Sequence, residues 1–226
     1  MKKLTNVVVF LLVSFISVAQ QSEVRSVGSF SGVKAGEAID VYLKKGDKES
    51  VRVETSGTDA SNVITEVSGS YLKIHMKDGR YRNRDIKVYV TYVSINKISA
   101  SSASNIFSEG TIKSSSLDVS VSSAGSVEVT IETESAVVEV SSAGDVVLEG
   151  KAKKLEAEAS SAGEIDAYNL ESEVVNASAS SAGSIKVNVS KQLEAHASSG
   201  GSIRYRGAPA KTNTGSSSGG SVKKSN

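Results

Sequence analysis

The sequence contains no cysteine and no tryptophan, and it has one proline among 226 residues. Without cysteine, the chain has no disulfide, no thiolate nucleophile, no cysteine-based zinc site and no lipobox residue for a lipid anchor. Aromatic residues make up only 5% of the chain, which excludes a thick core packed by large rings. The sequence therefore predicts a thin core built from small and β-branched side chains.

The formal net charge is +1, so nothing in the overall charge indicates a nucleic-acid partner. The charge is nevertheless uneven along the chain. Residues 117–173 contain 13 acidic residues against three lysines, and residues 186–226 contain seven basic residues against one acidic residue. This distribution predicts opposite charge at two ends of an elongated fold, although ordinary solubility would also explain it.

The first 19 residues have the pattern of a signal peptide. Met1–Lys3 is a basic start, residues 7–16 are an apolar stretch, and Ser17–Ala19 is a small-x-small cleavage motif. Ten apolar residues are too few to span a bilayer, which needs about 20. We therefore expect cleavage after Ala19 and export to the periplasm, the cell surface or the medium, with no transmembrane segment in the mature chain.

A four-residue motif recurs through the second half of the chain at intervals of 18 to 21 residues. It reads Ser-Ser-Ala-Ser at 101–104, Ser-Ser-Ala-Gly at 122–125, 141–144, 160–163 and 180–183, and Ser-Ser-Gly-Gly at 198–201 and 217–220. Apolar and polar residues alternate on both sides of each copy, as in strands with one buried face. The motif is thus predicted to be a corner between two strands, with its glycine adopting a positive φ.

Equivalent positions of successive repeats keep their character. The first inward position after the corner is branched in every repeat: Val127, Val146, Ile165, Ile185, Ile203 and Val222. The inward positions before the corner are valine in the first two repeats and alanine from the third onward. Such columns predict an all-β solenoid of about 19-residue coils over residues 101–210, in which side chains stack between coils.

The remaining parts of the mature chain lack the repeat. Residues 20–100 contain five strand patterns separated by glycine turns, and we expect them to form a β-rich region that caps the solenoid. Residues 211–226 are rich in Lys, Ser and Gly. They are either a frayed last coil, with Val222 as its only apolar anchor, or a disordered tail.

The order of these segments resembles the head GIN domain family of exported Bacteroidetes proteins, described as auto-transporter adhesins. The resemblance rests on Phe30–Val33, Ile39–Leu43, Val51–Glu54, Tyr71–Ile74 and Ile86–Val90, followed by the Ser-Ala-Gly-x-Ile repeats. The tripeptide that names the family is not intact here, because its asparagine is missing. The resemblance implies a right-handed β-solenoid behind a β-rich N-terminal region and a surface or periplasmic location. It brings no catalytic residues.

The chain contains no motif of a nucleophile elbow, zinc protease, phosphate loop or calcium loop. Its two histidines, His75 and His196, lie in alternating strand patterns and are interpreted as solvated residues rather than catalytic ones. We therefore expect no catalytic residue, no cofactor and no metal site.

Two carboxylates deserve comparison with those of glycosidases, which use a pair at a fixed separation. Glu139 and Glu158 are expected in one outward column, one coil apart at about 5 Å. The coils, however, offer only Tyr168 and Tyr205 as platforms for a sugar ring. An acidic patch on a solvated strand is the simpler interpretation.

The best candidate for partner binding is an arginine-rich segment containing Arg80, Tyr81, Arg82 and Arg84. It follows the turn at Asp78–Gly79 and is expected at an exposed loop tip, where binding residues are common. Arginine and tyrosine suit acidic glycans, phosphate groups or a carboxylate-rich partner. A merely soluble loop is the alternative interpretation.

These features together favour an exported, non-catalytic, adhesin-like binding or scaffold protein of the cell envelope, which presents a flat β-surface to glycans or envelope proteins. The alternatives are a polysaccharide-active β-helix enzyme and a self-assembling structural element of the envelope.

Overall fold

A computed structural model describes residues 21–225, and the predicted signal peptide lies outside the described residues. These residues form strands joined by short corners, with one 3₁₀ turn at Ala60–Asn62 and no α-helix among them. The strands are β1 (Gln21–Arg25), β2 (Gly32–Ala35), β3 (Asp40–Lys45), β4 (Ser50–Ser56), β5 (Val63–Ser68), β6 (Tyr71–Met76), β7 (Asp85–Tyr92), β8 (Lys97–Ala100), β9 (Asn105–Val121), β10 (Ser126–Val140), β11 (Asp145–Ala159), β12 (Glu164–Ala179), β13 (Ser184–Ala197), β14 (Ser202–Arg206), β15 (Lys211–Ser216) and β16 (Ser221–Lys224).

The second half of the chain is a β-solenoid with a coil spacing of about 19 residues, as the repeat predicted. Each strand from β10 to β12 runs from one corner to the next and pairs in parallel with the equivalent strand of both neighbouring coils. Val127 pairs with Val146 after the corner, and Val138 pairs with Ala157 before the next one. Stacking in register therefore brings equivalent residues of successive coils together.

The core is a set of apolar columns that run along the solenoid. Val127, Val146, Ile165, Ile185 and Ile203 are fully buried in one column, which confirms the branched wall. The opposite wall changes from Val119 and Val138 to alanine at 157, 177 and 195, and these residues are also buried. From the third coil onward, the first wall carries isoleucine in place of valine while the second carries alanine in place of valine, so larger and smaller side chains replace valine in the same coils.

The parallel stack continues on the N-terminal side of Ser101. β2 and β3 pair in parallel with β8 and β9, and β6 and β7 pair in parallel with β2 and β3. The antiparallel strands β5 and β4 then cover β6 and β7, and β1 pairs with β4. The change in sequence pattern near residue 101 therefore does not coincide with a break in the sheet.

Arg25 fastens β1 to the rest of this antiparallel end. Its guanidinium donates hydrogen bonds to the carbonyl oxygens of Val63 (2.6 Å) and Ala60 (2.8 Å) and to the hydroxyl of Thr65 (3.0 Å). It also pairs with the carboxylate of Glu23. The strand is thus held to β5 as well as to β4.

The expectation that the corner glycine has a positive φ is wrong. The second and third residues of the motif take the left-handed conformation, with φ of 51° at Ser123 and 57° at Ala124, while Gly125 does not. The amide of Gly125 donates to the carbonyl of Ser122 at 3.0 Å, which closes a turn with two positive-φ residues in its centre, as in type I′ turns. Glycine occupies the fourth position for another reason. A Cβ on Gly125 would lie 2.9 Å from the backbone of Ala100 in the preceding coil.

The last coil, formed by β15 and β16, is folded but has little apolar character. β15 pairs with β13 and β16 pairs with β14. In the columns that are apolar elsewhere, it carries Thr212, Thr214, Ser216 and Lys224, with half-buried Val222 as the apolar member. This coil therefore closes the apolar interior with polar groups.

Candidate functional site

The arginine-rich segment forms the connection between β6 and β7, and two of its side chains are turned onto the fold. Arg84 donates hydrogen bonds to the carbonyls of Tyr81 (3.1 Å) and Glu37 (2.9 Å). The ring of Tyr81 is half-buried against the core, with the guanidinium of Arg84 5.6 Å from its centroid. A Cβ on Gly79 would lie 2.9 Å from the Tyr81 hydroxyl. These contacts give Tyr81 and Arg84 a role in holding the loop.

Arg80 and Arg82 are exposed at the surface of the same loop. The bond from Arg84 to Glu37 places the loop beside the first corner of the stack, at residues 36–38. Two guanidinium groups are therefore presented at the corner edge of the solenoid. Binding of a partner by this loop remains a prediction.

Glu139 and Glu158 are direct neighbours on β10 and β11, in the outward column that the sequence indicated. The column continues with Ser120 on one side and with Ser178 and His196 on the other. Both glutamates are exposed. The arrangement places two carboxylates about one strand spacing apart, and both line a concavity of about 280 Å³.

A concavity of about 750 Å³ lies on the opposite side of the coils from the corners. We call it the banded groove. One rim carries Lys113, Glu132, Lys151 and Glu171, and the other carries Glu134, Lys153 and Glu173. Between the rims, Thr133, Ala152 and Ser172 are buried. Ser114 also lies there, and its buried hydroxyl oxygen has no hydrogen-bond partner among the described residues.

The charges of the banded groove alternate from coil to coil. The three coils that carry residues 132–134, 151–153 and 171–173 each place one sign on both rims, and the sign reverses from each of these coils to the next. Ion pairs consequently bridge neighbouring coils: Lys113–Glu132 (2.6 Å), Lys153–Glu134 (2.6 Å), Lys151–Glu171 (3.2 Å) and Lys191–Glu173 (2.7 Å). The hydrogen bond from Lys113 lowers the pKa of Glu132, and the hydrogen bond to Glu134 raises the pKa of Lys153. The groove is therefore polar and self-neutralised.

A compact acidic group lies on the face that follows the corners. Lys186 binds Glu164 (2.8 Å) and Asp166 (3.1 Å), and these hydrogen bonds raise its pKa. Asp145, in register with Glu164, makes no ion pair among the described residues. Burial raises the pKa of Asp145, and repulsion by Glu164 and Asp166 raises it further.

No group of three or more acidic or histidine side chains in residues 21–225 is arranged to hold a metal ion.

An aromatic stack that the sequence analysis missed crosses the N-terminal coils. The rings of Tyr89, Tyr42 and Phe107 follow one another on β7, β3 and β9, with centroids 5.1 Å and 5.3 Å apart. Arg52 covers the free face of Tyr89, with its guanidinium carbon 3.9 Å from the ring centroid. The stacked rings cover one another's faces, and each ring is partly exposed. The strand register brings these three residues together.

The coil tyrosines considered as sugar platforms are also engaged. The ring of Tyr168 is covered by Arg206, whose guanidinium carbon lies 4.0 Å from its centroid. Its hydroxyl is 2.7 Å from the hydroxyl of Ser225. Tyr205 is half-buried at the edge of the core.

Within residues 21–225, no helix has the length and apolar character needed to cross a membrane.

Parallel coils with in-register columns and a capped end define a β-solenoid repeat protein. The chain belongs to the family described as "Putative auto-transporter adhesin, head GIN domain", whose family model matches residues 29–209. This match confirms the resemblance seen in the order of the N-terminal segments and the repeats.

Solved structures share the fold at low sequence identity. An adhesin described as putative from Bacteroides fragilis is 22% identical, with a TM-score of 0.84 over 92% of this chain and 98% of that one. A second such adhesin, from Parabacteroides merdae, is 18% identical, with a TM-score of 0.76 over 92% and 96% of the two chains. A Parabacteroides distasonis protein described as a putative lipid binding protein is 16% identical, with a TM-score of 0.68 over 92% of this chain and 97% of that one. No curated protein matches the sequence significantly.

Proposed function

We propose that this chain is an exported, adhesin-like binding and scaffold protein of the cell envelope or surface, which holds glycan or protein partners on its solenoid faces without catalysing a reaction. The observation that carries the proposal is the continuous 16-stranded sheet, in which polar side chains of successive coils stand in register on the outside. A rigid surface with a repeat of one strand spacing suits an extended partner. Membership of an adhesin-like family supports the exported location.

The test is capture of envelope components by the chain that begins at Gln20, compared with a glycan array probed with the same protein. Saturable binding to an envelope fraction is the expected result. Absence of binding to every fraction and glycan would contradict the proposal.

The arginine-rich loop is proposed as one contact of this surface. The replacement of Arg80 and Arg82 by alanine tests it, because these two side chains are exposed and Arg84 holds the loop. The expected result is weaker capture at an unchanged melting temperature. Alanine at Lys48 and Lys154, two other exposed cations, is the matched control.

A polysaccharide-active enzyme is the alternative that the register of Glu139 and Glu158 favours. Hydrolysis of any polysaccharide in a panel, abolished by Glu139→Gln or Glu158→Gln, would establish it and overturn the non-catalytic proposal. We expect neither the wild-type chain nor the variants to release reducing sugar.

A further inference from the structure

Three adjacent strands near the N-terminal end place cations and an aromatic ring on one outward face. The strands β6, β2 and β8 lie side by side, with Tyr71 opposite Gly32 and Gly32 opposite Lys97. Two residues further along, Lys73 lies opposite Lys34. We call this surface the Tyr71 patch and define it by Tyr71, Lys73, His75, Lys34 and Lys97.

The ring of Tyr71 lies across the position of Gly32 and uses the space that a side chain would fill. A Cβ on Gly32 would lie 2.7 Å from Cδ1 and 2.8 Å from Cε1 of Tyr71. The ammonium of Lys97 is 5.8 Å from the ring centroid, and the ring remains partly exposed. Unlike the rings of the aromatic stack, this ring has a long, movable lysine as its cover.

The lysines of the patch make no ion pair within the described part of the chain, although carboxylates lie opposite two of them in register. Lys34 and Lys73 are neighbours in register, and like charges directly opposite each other in a sheet are destabilising. Glu66 is opposite Lys73 and Asp118 is opposite Lys97. Neither acid forms an ion pair with these lysines in residues 21–225. The unpaired cations therefore favour an anion supplied from outside.

A cavity of about 310 Å³ adjoins the two neighbouring lysines. Lys34, Lys73, His75 and the hydroxyl-bearing residues Ser101 and Ser102 line it. Its one carboxylate, on Glu37, accepts the backbone N–H of Met76 through Oε2 at 2.6 Å, which fixes the position of this acidic group in the lining. The volume is at the lower end of the range for small-molecule sites, about 300 to 1,000 Å³, and suits a group the size of one sugar ring.

We propose that the Tyr71 patch binds an acidic sugar residue of a polysaccharide. The apolar C–H face of the sugar packs on the ring of Tyr71, and its carboxylate or sulfate pairs with Lys34 and Lys73. The serine hydroxyls and His75 hydrogen-bond the remaining hydroxyls. The chain of the polysaccharide can continue to Arg80 and Arg82, because their loop begins where β6 ends. This inference rests on the proposed binding function and names its ligand class.

Titration of the exported chain with three oligosaccharides in a calorimeter tests the proposal. The probes are an oligogalacturonate, a sulfated oligosaccharide of equal length and a neutral oligosaccharide of equal length. Binding of at least one acidic probe is expected, with the neutral probe about tenfold weaker or undetectable. The two acidic arms distinguish a carboxylate from a sulfate as the preferred group. Equal binding of the neutral probe would overturn the proposal.

Two variants locate the site. The double replacement of Lys34 and Lys73 by glutamine is expected to lower the affinity for the acidic probe about tenfold or more. Tyr71→Leu is expected to lower this affinity as well, while the chain retains its fold. Glutamine at Lys48 and Lys154 should change the affinity less than twofold, and melting temperatures verify folding. Unchanged affinity in both patch variants, or equally tight binding of hexaglutamate, would overturn the acidic-sugar site. Envelope capture that persists in the patch variants would leave the proposed function standing and place it elsewhere.

Discussion

A Cβ on Gly163 would lie 2.9 Å from the carbonyl oxygen of Val140 in the preceding coil. Real Cβ atoms essentially never approach a backbone oxygen so closely, and both groups are fixed in parallel coils. We therefore expect Gly163→Ala to separate the coils locally and to lower the free energy of unfolding by about 1–3 kcal/mol, as other overpacked sites do. Urea denaturation followed by circular dichroism measures this loss.

The adjacent residue provides a control of opposite sign. Ala162 has a φ of 61°, a conformation that costs an alanine roughly 1 kcal/mol and a glycine almost nothing. Ala162→Gly should therefore stabilise the chain by about 0.5 kcal/mol, after the greater entropy of the unfolded glycine is subtracted. Destabilisation by Ala162→Gly would contradict the left-handed conformation of Ala162, and a neutral Gly163→Ala would contradict the close contact with Val140.

The solenoid half was predictable because each repeat contains its own pattern. Val146 and Ile165 occupy equivalent places in their repeats, so stacking them required only the assumption of constant register. The corner glycine was misinterpreted because a sequence records which residue is small but not which neighbour approaches it. The glycine is needed for contact with the preceding coil, and that contact exists only after stacking.

The N-terminal stacking could not be predicted in the same way. The coil formed by β2 and β3 lies between two coils that come later in the chain. One of these is formed by β6 and β7, and the other by β8 and β9. Strand patterns give no order of this kind. For the same reason, the sequence did not predict that Lys34 lies opposite Lys73 or that the three aromatic rings stack. Each of these contacts joins residues from segments far apart in the sequence.

The stability of the acidic face should depend on Asp145. Its folded-state pKa is raised above the ordinary value of 3.8 by burial and then by Glu164 and Asp166. A group with a raised folded pKa contributes stability below its unfolded value, and that contribution is lost as the pH rises through the folded pKa. Asp145→Asn should therefore raise the melting temperature at pH 7 by about 1–3 °C, corresponding to at most about 1 kcal/mol after screening.

The same experiment at low pH supplies its control. Near pH 3 the Asp145 carboxyl is largely protonated in both the folded and the unfolded chain, so the advantage of the asparagine variant should shrink toward zero. A constant advantage from pH 3 to pH 7 would show that the stabilisation comes from the amide and not from removal of the charge.

The alternating charges of the banded groove should make the melting temperature of charge variants depend on the salt concentration. Lys153 lies between the coils of Glu134 and Glu173 and binds the former at 2.6 Å. Lys153→Glu would place three glutamates in successive coils, and we expect a lower melting temperature at low ionic strength. Because the groove is exposed, salt near 1 M should remove most of the effect. Lys153→Gln, which removes the pair without adding repulsion, should cost less, and equal losses in both variants would argue against repulsion between coils.

The polar last coil should keep the end of the stack from recruiting another chain. Thr214 and Lys224 stand in register with Ala195 and Tyr205, at positions that are apolar in other coils. Inward-facing charges and polar groups at a free edge oppose edge-to-edge pairing. Valine at both positions should therefore produce concentration-dependent association, measured by light scattering coupled to gel filtration. Lys223→Val adds similar apolar surface in an outward column, next to Arg204. This control should stay monomeric if the inward column governs association, whereas association of both proteins to the same extent would attribute the effect to surface hydrophobicity alone.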